Sequence, residues 1–127
     1  MVNLGAQPHF PAAAPIDAYG NGGFRFAGMS HRGSLLCLPD GIWAWPVTSA
    51  ADLSEQTLAP VFTRIDSLDF VLIGSGRDLW VLPEPLRRRF RDAQISADVM
   101  PTGAAVRTYN VLLAESRRVA AALIAVD

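Results

Sequence analysis

The sequence predicts a single α/β domain in which strand-like segments alternate with helices, and three observations carry that expectation. Phe70-Val71-Leu72-Ile73 is apolar on both faces, as a central strand covered on each side must be. Two apolar runs, Ser34–Leu38 and 42–45, flank Pro39-Asp40-Gly41, a strong hairpin signal. Ala105, Val106, Tyr109, Leu112 and Leu113 fall on one stripe of helical period. The chain has 127 residues, half of them hydrophobic, which suits one domain with a sizeable core.

Taken in order, residues 1–15 hold three prolines and little periodicity and are expected to form a flexible or loosely attached arm, leaving 16–127 as the domain. A first strand is expected at 16–19, then a Gly20-Asn21-Gly22-Gly23 turn and a half-buried strand at 24–26, an N-terminal hairpin region. In the second hairpin, Asp40-Gly41 is expected to form a type I′ turn with both residues at positive φ. Trp43 and Trp45 then share one face of their strand, read as core.

Residues 48–66 carry a helical pattern (Leu58, Val61, Phe62, Ile65) that Pro60 interrupts. The helix there is expected to start late, with Pro60 in its first turn, or to be short and distorted; Asp52 with Glu55, or Ser54, would cap it. The central strand at 70–73 ends in Gly74-Ser75-Gly76. Pro83 and Glu84 open a helix that buries Leu86, Phe90 and Ala93, with Glu84–Arg88 and Arg88–Asp92 as ion pairs one turn apart. Residues 97–100 make a short strand ended by Pro101, and Thr102 is expected to cap the long helix after it. Residues 119–126, rich in alanine, either extend that helix, as propensity favours, or form a last strand.

Composition removes several function classes. The formal net charge is −1, and no continuous basic face for nucleic acid is expected. All eleven basic residues other than histidine are arginines, which excludes Schiff-base chemistry and a P-loop lysine. Cys37 is alone, so no internal disulfide forms, and it reads as a small buried hydrophobe. His9 and His31 have no cysteine or carboxylate at ligand spacing, so neither a metal nor a cofactor is expected. Ser34, Ser54 and Ser75 have no nucleophile-elbow context, and no catalytic residue is assigned. With no signal-like N-terminus and no apolar run of membrane-spanning length, the expectation is a soluble, cytoplasmic protein.

Several stretches together resemble a known family: Gly33 to Leu36, Trp45, Val71 to Gly76, Met100-Pro101-Thr102, and above all Arg107-Thr108-Tyr109-Asn110-Val111-Leu112 with Glu115 and Arg117. It is the family of small bacterial and archaeal proteins of unknown function that includes the mitochondrial respiratory complex I assembly factor three. The resemblance spans about residues 16–126 and implies a three-layer α/β fold with a central mixed sheet. It also implies that the chain turns back as a strand after the Tyr109-Asn110 helix, usually at a glycine, here Ser116. On that basis 118–126 is read as a strand. The resemblance implies no reaction; its mitochondrial members are implied to bind other proteins during assembly.

Two functional readings follow. One is a non-enzymatic protein-interaction or assembly module, with a protein partner. The other is a small-anion or small-molecule site, conceivably an enzyme's, between Gly74 to Gly76 and the helix starting at Thr102. Glycines at a strand end let backbone N–H groups approach an anion, and Arg77 or Arg107 would add charge. Against it, Gly74-Ser75-Gly76 reads more plainly as a strand-ending turn, and Thr102 as a cap. Tyr109 reads as core, Asn110 as the maker of a specific hydrogen bond to a loop or a ligand, and Glu115 with Arg117 as a structural pair across a turn. The run Arg87-Arg88-Arg89-Phe90-Arg91 reads as a solvated helix face, with an acidic protein partner as the second reading.

Overall fold

The computed structural model describes residues 7–127, and the first six residues of the expected arm lie outside them. Residues 7–15 run against the domain: Phe10 bridges Ile42 in antiparallel fashion, and Ala14 is buried. Five strands, β4 (Ser34–Leu38), β5 (Gly41–Trp45), β6 (Phe70–Gly74), β7 (Ser96–Met100) and β8 (Val119–Leu123), form one mixed sheet in the order β5-β4-β8-β6-β7. β6 pairs in parallel with both β7 and β8, whereas β4 is antiparallel to β5 and β8. A second, antiparallel sheet holds β1 (Ile16–Gly20), β2 (Gly23–Phe26) and β3 (Met29–Arg32). The helices are α1 (Ala59–Phe62), α2 (Glu84–Asp92) and α3 (Thr102–Ala114).

Period-two alternation makes three layers of these elements. On β4 Leu36 and Leu38, on β6 Val71 and Ile73, and on β8 Ala120 and Ala122 join one core with Leu58 and Val61 of the α1 region and Leu86 and Phe90 of α2. The intervening residues Leu35, Cys37, Leu72, Ala121 and Leu123 join the other core, with Ala105, Val106 and Tyr109 of α3 and Phe24 and Phe26 of the small sheet. The main sheet is therefore apolar on both sides, with α1 and α2 below and α3 beside the small sheet above, as a three-layer α/β fold requires. Trp43 and Trp45 share the first core, as their spacing predicts.

Several local expectations are corrected. The β4–β5 loop is Pro39-Asp40, because Leu38 pairs with Gly41, and neither Asp40 nor Gly41 has positive φ. A type I′ turn is excluded by Pro39, whose ring fixes φ near −65° at the first loop position. Gly41 is needed for space: a Cβ there would lie 3.0 Å from the Phe10 carbonyl, Pro8 and the Trp43 ring. The small sheet has a third strand, β3, which the sequence reading did not find. On α2, Glu84 pairs with Arg91 at 3.7 Å and Arg89 reaches Glu55 at 3.1 Å, in place of the two pairs expected through Arg88. α1 is one turn long with Pro60 in that turn, while Ser54 and Thr57 exchange side-chain and backbone hydrogen bonds just ahead of it.

The end of α3 follows the family-based expectation against propensity. Ser116 adopts φ +60°, with its N–H on Leu113 O and that of Arg117 on Leu112 O, the Schellman arrangement usually made by glycine. The chain reverses there and β8 enters the middle of the sheet.

Candidate functional site

The candidate site lies where β6 ends against the start of α3. Gly74 has no room for a side chain: a Cβ would sit 3.1 Å from Thr102 Cα and Oγ1 and 3.2 Å from Leu123. Ser75 donates its N–H to Met100 O at 2.9 Å, and its hydroxyl donates to Asp78 O at 2.6 Å. Gly76, at φ +99°, makes the turn that sends the chain off the sheet. Its N–H donates to Thr102 Oγ1 at 3.0 Å, and its carbonyl accepts from Thr102 N at 2.8 Å.

Thr102 does not cap its helix. Pro101 occupies the cap position at φ −56°, ψ 148°, without a side-chain cap bond, and Thr102 is the first helical residue. The Thr102 hydroxyl is fully buried and donates to Ile124 O at 2.7 Å while accepting from Gly76. It joins three segments: the turn after β6, the start of α3 and the end of β8. The backbone donors of Ser75 and Gly76 that an anion would need are thus already bonded inside the protein.

Tyr109 and Asn110 act on the N-terminal side of the fold. The Tyr109 hydroxyl donates to Ala14 O at 2.9 Å. Asn110 accepts from Ile16 N at 2.9 Å through Oδ1 and donates to Ile16 O at 2.8 Å through Nδ2. One side-chain amide thereby pairs with both backbone groups of one residue, as a neighbouring strand would. Burial pushes the Tyr109 phenol upward from its ordinary range, and pushes the Cys37 thiol beside it up to about 12. Cys37 is therefore a buried neutral thiol, without the thiolate that nucleophilic chemistry requires.

The remaining candidates separate. Gly76, Arg77 and Arg107 come together along a shallow groove of ≈ 330 Å³, with Tyr19 and Gly103. A second open groove of ≈ 500 Å³ meets it at Gly76 and Arg77 and runs past Ser75, Asp78 and Trp80 to Thr48. Thr102, Tyr109 and Asn110 line neither. Arg117 lies apart, with its guanidinium 5.2 Å from the centre of the Phe70 ring. The expected Glu115–Arg117 pair is absent; the neighbouring Arg118 pairs with Asp69 at 2.9 Å and, chiefly through that hydrogen bond, holds its carboxyl below the usual range. Among the described residues no group of three metal-ligating side chains occurs, and no helix is long and apolar enough to cross a membrane.

One feature escaped sequence reasoning. Leu79, Trp80 and Val81, between the Gly76 turn and α2, are 68%, 39% and 77% exposed. The available signal was a run of four apolar residues, Leu79 to Leu82, held between Gly76 and Pro83, of which only Leu82 is buried.

Comparison with known proteins places the chain in a family. An uncharacterized protein of Rhodobacter capsulatus is 41% identical over 93% of this chain and 90% of its own length. The NADH dehydrogenase [ubiquinone] 1 alpha subcomplex assembly factor 3 of Mus musculus is 30% identical over 93% of this chain, which spans 64% of that longer protein. A crystal structure described as that of an outer membrane protein from Bartonella henselae superposes with a TM-score of 0.89 at 54% identity, over 94% of this chain and all of that one. Residues 16–124 match the family described as protein of unknown function (DUF498/DUF598), and the chain belongs to that family.

Proposed function

We propose that this chain is a protein-binding module of the assembly-factor kind, without a catalytic centre of its own. The observation that carries the reading is the likeness, over 93% of the chain, to a protein named as an assembly factor of NADH dehydrogenase. The site chemistry agrees with it. The polar side chains offered as ligand or partner candidates on Ser75, Thr102, Tyr109 and Asn110 are engaged in hydrogen bonds within the fold. What remains at the surface is open groove, arginine and exposed apolar side chain, which is the material of protein interfaces. Of the sequence candidates, Arg77 and Arg107, exposed on one open groove, are the ones through which a partner would be bound.

Affinity capture of the tagged full chain from its own cell extract tests this reading. A reproducible protein partner at near-stoichiometric yield is expected. Recovery of the chain alone, with a small anion released on denaturation, would sink it and return attention to the groove at Arg77. The cytoplasmic location is part of the same proposal. Cell fractionation checks it, because recovery in the outer membrane fraction would contradict it and agree with the description of the Bartonella structure.

A further inference from the structure

We propose that the strap Leu79-Trp80-Val81 and the arginine face of α2 form one docking surface for an apolar segment flanked by acidic residues on another protein. The proposal deepens the protein-binding reading and rests on it. Leu79 and Val81 are more than two-thirds exposed and lie side by side in sequence with the half-exposed Trp80. Exposed apolar clusters of this kind on a small domain mark contact sites, and tryptophan and arginine are the residues most enriched where binding energy concentrates. Trp80 also lines the open ≈ 500 Å³ groove, together with Thr48, Ser49, Ala50, Arg77 and Asp78.

Charge selects the flanks of the partner. The strap runs directly into α2, and from Arg77 to Asp92 the chain carries five arginines against three carboxylates, a local positive excess in a protein of net charge −1. Of the four arginines of α2, Arg89 is engaged by Glu55 and Arg91 by Glu84, while Arg87 and Arg88 are exposed and outside these pairs. An acidic segment next to the apolar anchor meets both. A flat anionic bilayer fits less well: it cannot fill the groove, and Asp78, Glu84 and Asp92 interrupt the basic surface that lipid headgroups need. A second copy of the chain would bring this net-positive surface against itself.

The test is selection from a random-peptide display library on the immobilised full chain, followed by fluorescence anisotropy with the synthetic consensus peptide. Two double variants accompany it, Leu79→Ser with Val81→Ser and Arg87→Glu with Arg88→Glu, each confirmed folded by circular dichroism. The expected consensus joins one large apolar residue to at least two acidic ones. Its affinity is expected to fall at least tenfold in either variant and to weaken with added salt. A basic or uncharged consensus, or equal binding to wild type and variants, overturns the proposal. So does sedimentation of the wild-type chain, but not the variants, with phosphatidylglycerol vesicles, or a dimer that the Leu79/Val81 variant dissolves. A native partner captured equally well by both variants overturns this surface while leaving the protein-binding reading in place. Absence of both a selected peptide and a native partner overturns the two together.

Discussion

The eight residues that leave β6 divide into two regions with opposite fates. In Gly74-Ser75-Gly76 the N–H groups of Ser75 and Gly76 and the carbonyls of Gly74 and Gly76 are bonded within the protein, and a Cβ added at Gly74 would meet Thr102 at 3.1 Å. Three residues further on, Leu79-Trp80-Val81 lies largely open to solvent. By residue type the assignment would run the other way, with glycines and serine at a binding loop and leucine, tryptophan and valine in the core. A strand end in an α/β sheet is where ligands commonly sit, but that rule needs free donors, and here the Thr102 hydroxyl and the Met100 carbonyl have taken them. The surface proposed for binding therefore lies outward along the chain, on the strap and not at the turn.

Variants on the saturated side should be costly and those on the strap should not. Tyr109→Ala is expected to have the largest effect, about 3–5 kcal/mol, because it empties a fully buried ring site and leaves the Ala14 carbonyl without its donor. Urea unfolding would measure it, and a loss below about 1 kcal/mol would show that residues 7–15 are not held through this contact. Thr102→Val keeps the shape but removes both hydrogen bonds, for an expected loss of about 1–3 kcal/mol. If the loss is near zero in thermal and urea melts alike, the seam between β6 and α3 is held by packing alone.

A third prediction concerns pH. The folded Cys37 thiol keeps its proton up to about 12, whereas an unfolded thiol ionises near its ordinary 9.0. The folded state therefore binds one more proton between those values, so its stability is full below pH 9 and declines as pH rises toward 12. Urea midpoints at pH 7.5 and 10.5 should separate more for the wild type than for Cys37→Ala. Parallel behaviour of the two would mean that the thiol is hydrated in the folded protein. The smallest effect on stability is expected from Leu79→Ser with Val81→Ser, within about 0.5 kcal/mol of wild type. A larger loss would show that the strap is packed, and would erase the contrast with the turn beside it.

Much of the architecture could be read from the sequence because it follows from periodicity. The double-sided apolar run at 70–73 is the strand beside the sheet centre, and the stripe through Ala105 and Tyr109 faces the core as its spacing requires. The three-layer class and the last strand came from family resemblance, since the alanines of β8 favour helix by propensity. Small residues suit β8 because both of its faces lie under packed layers. The candidate site was less legible. Arg77, Gly76 and Arg107 do meet at one groove, but nothing local distinguishes a threonine that caps its helix from one that joins three segments through Ile124 and Gly76. That difference depends on partners 22 and 26 residues away. Asn110 was expected to bond a loop or a ligand; its partner is instead the backbone of Ile16 in β1, 94 positions distant. The strap was missed because exposure of an apolar residue is decided by what fails to cover it.

The position of β8 imposes an order on how the molecule can be made. β4 with β5 is a local hairpin, and β6 with β7 is closed through α2, so both half-sheets can form while the chain is still being synthesised. They share no edge until residues 119–123 arrive between them. Between the completion of β7 and the arrival of β8 the chain therefore carries two apolar half-sheets, each with an open edge on β4 or β6 able to pair with a neighbouring chain. Completion is a single insertion of β8 between the two half-sheets, and a holdase that covers their edges until that strand docks would protect the yield of folded protein.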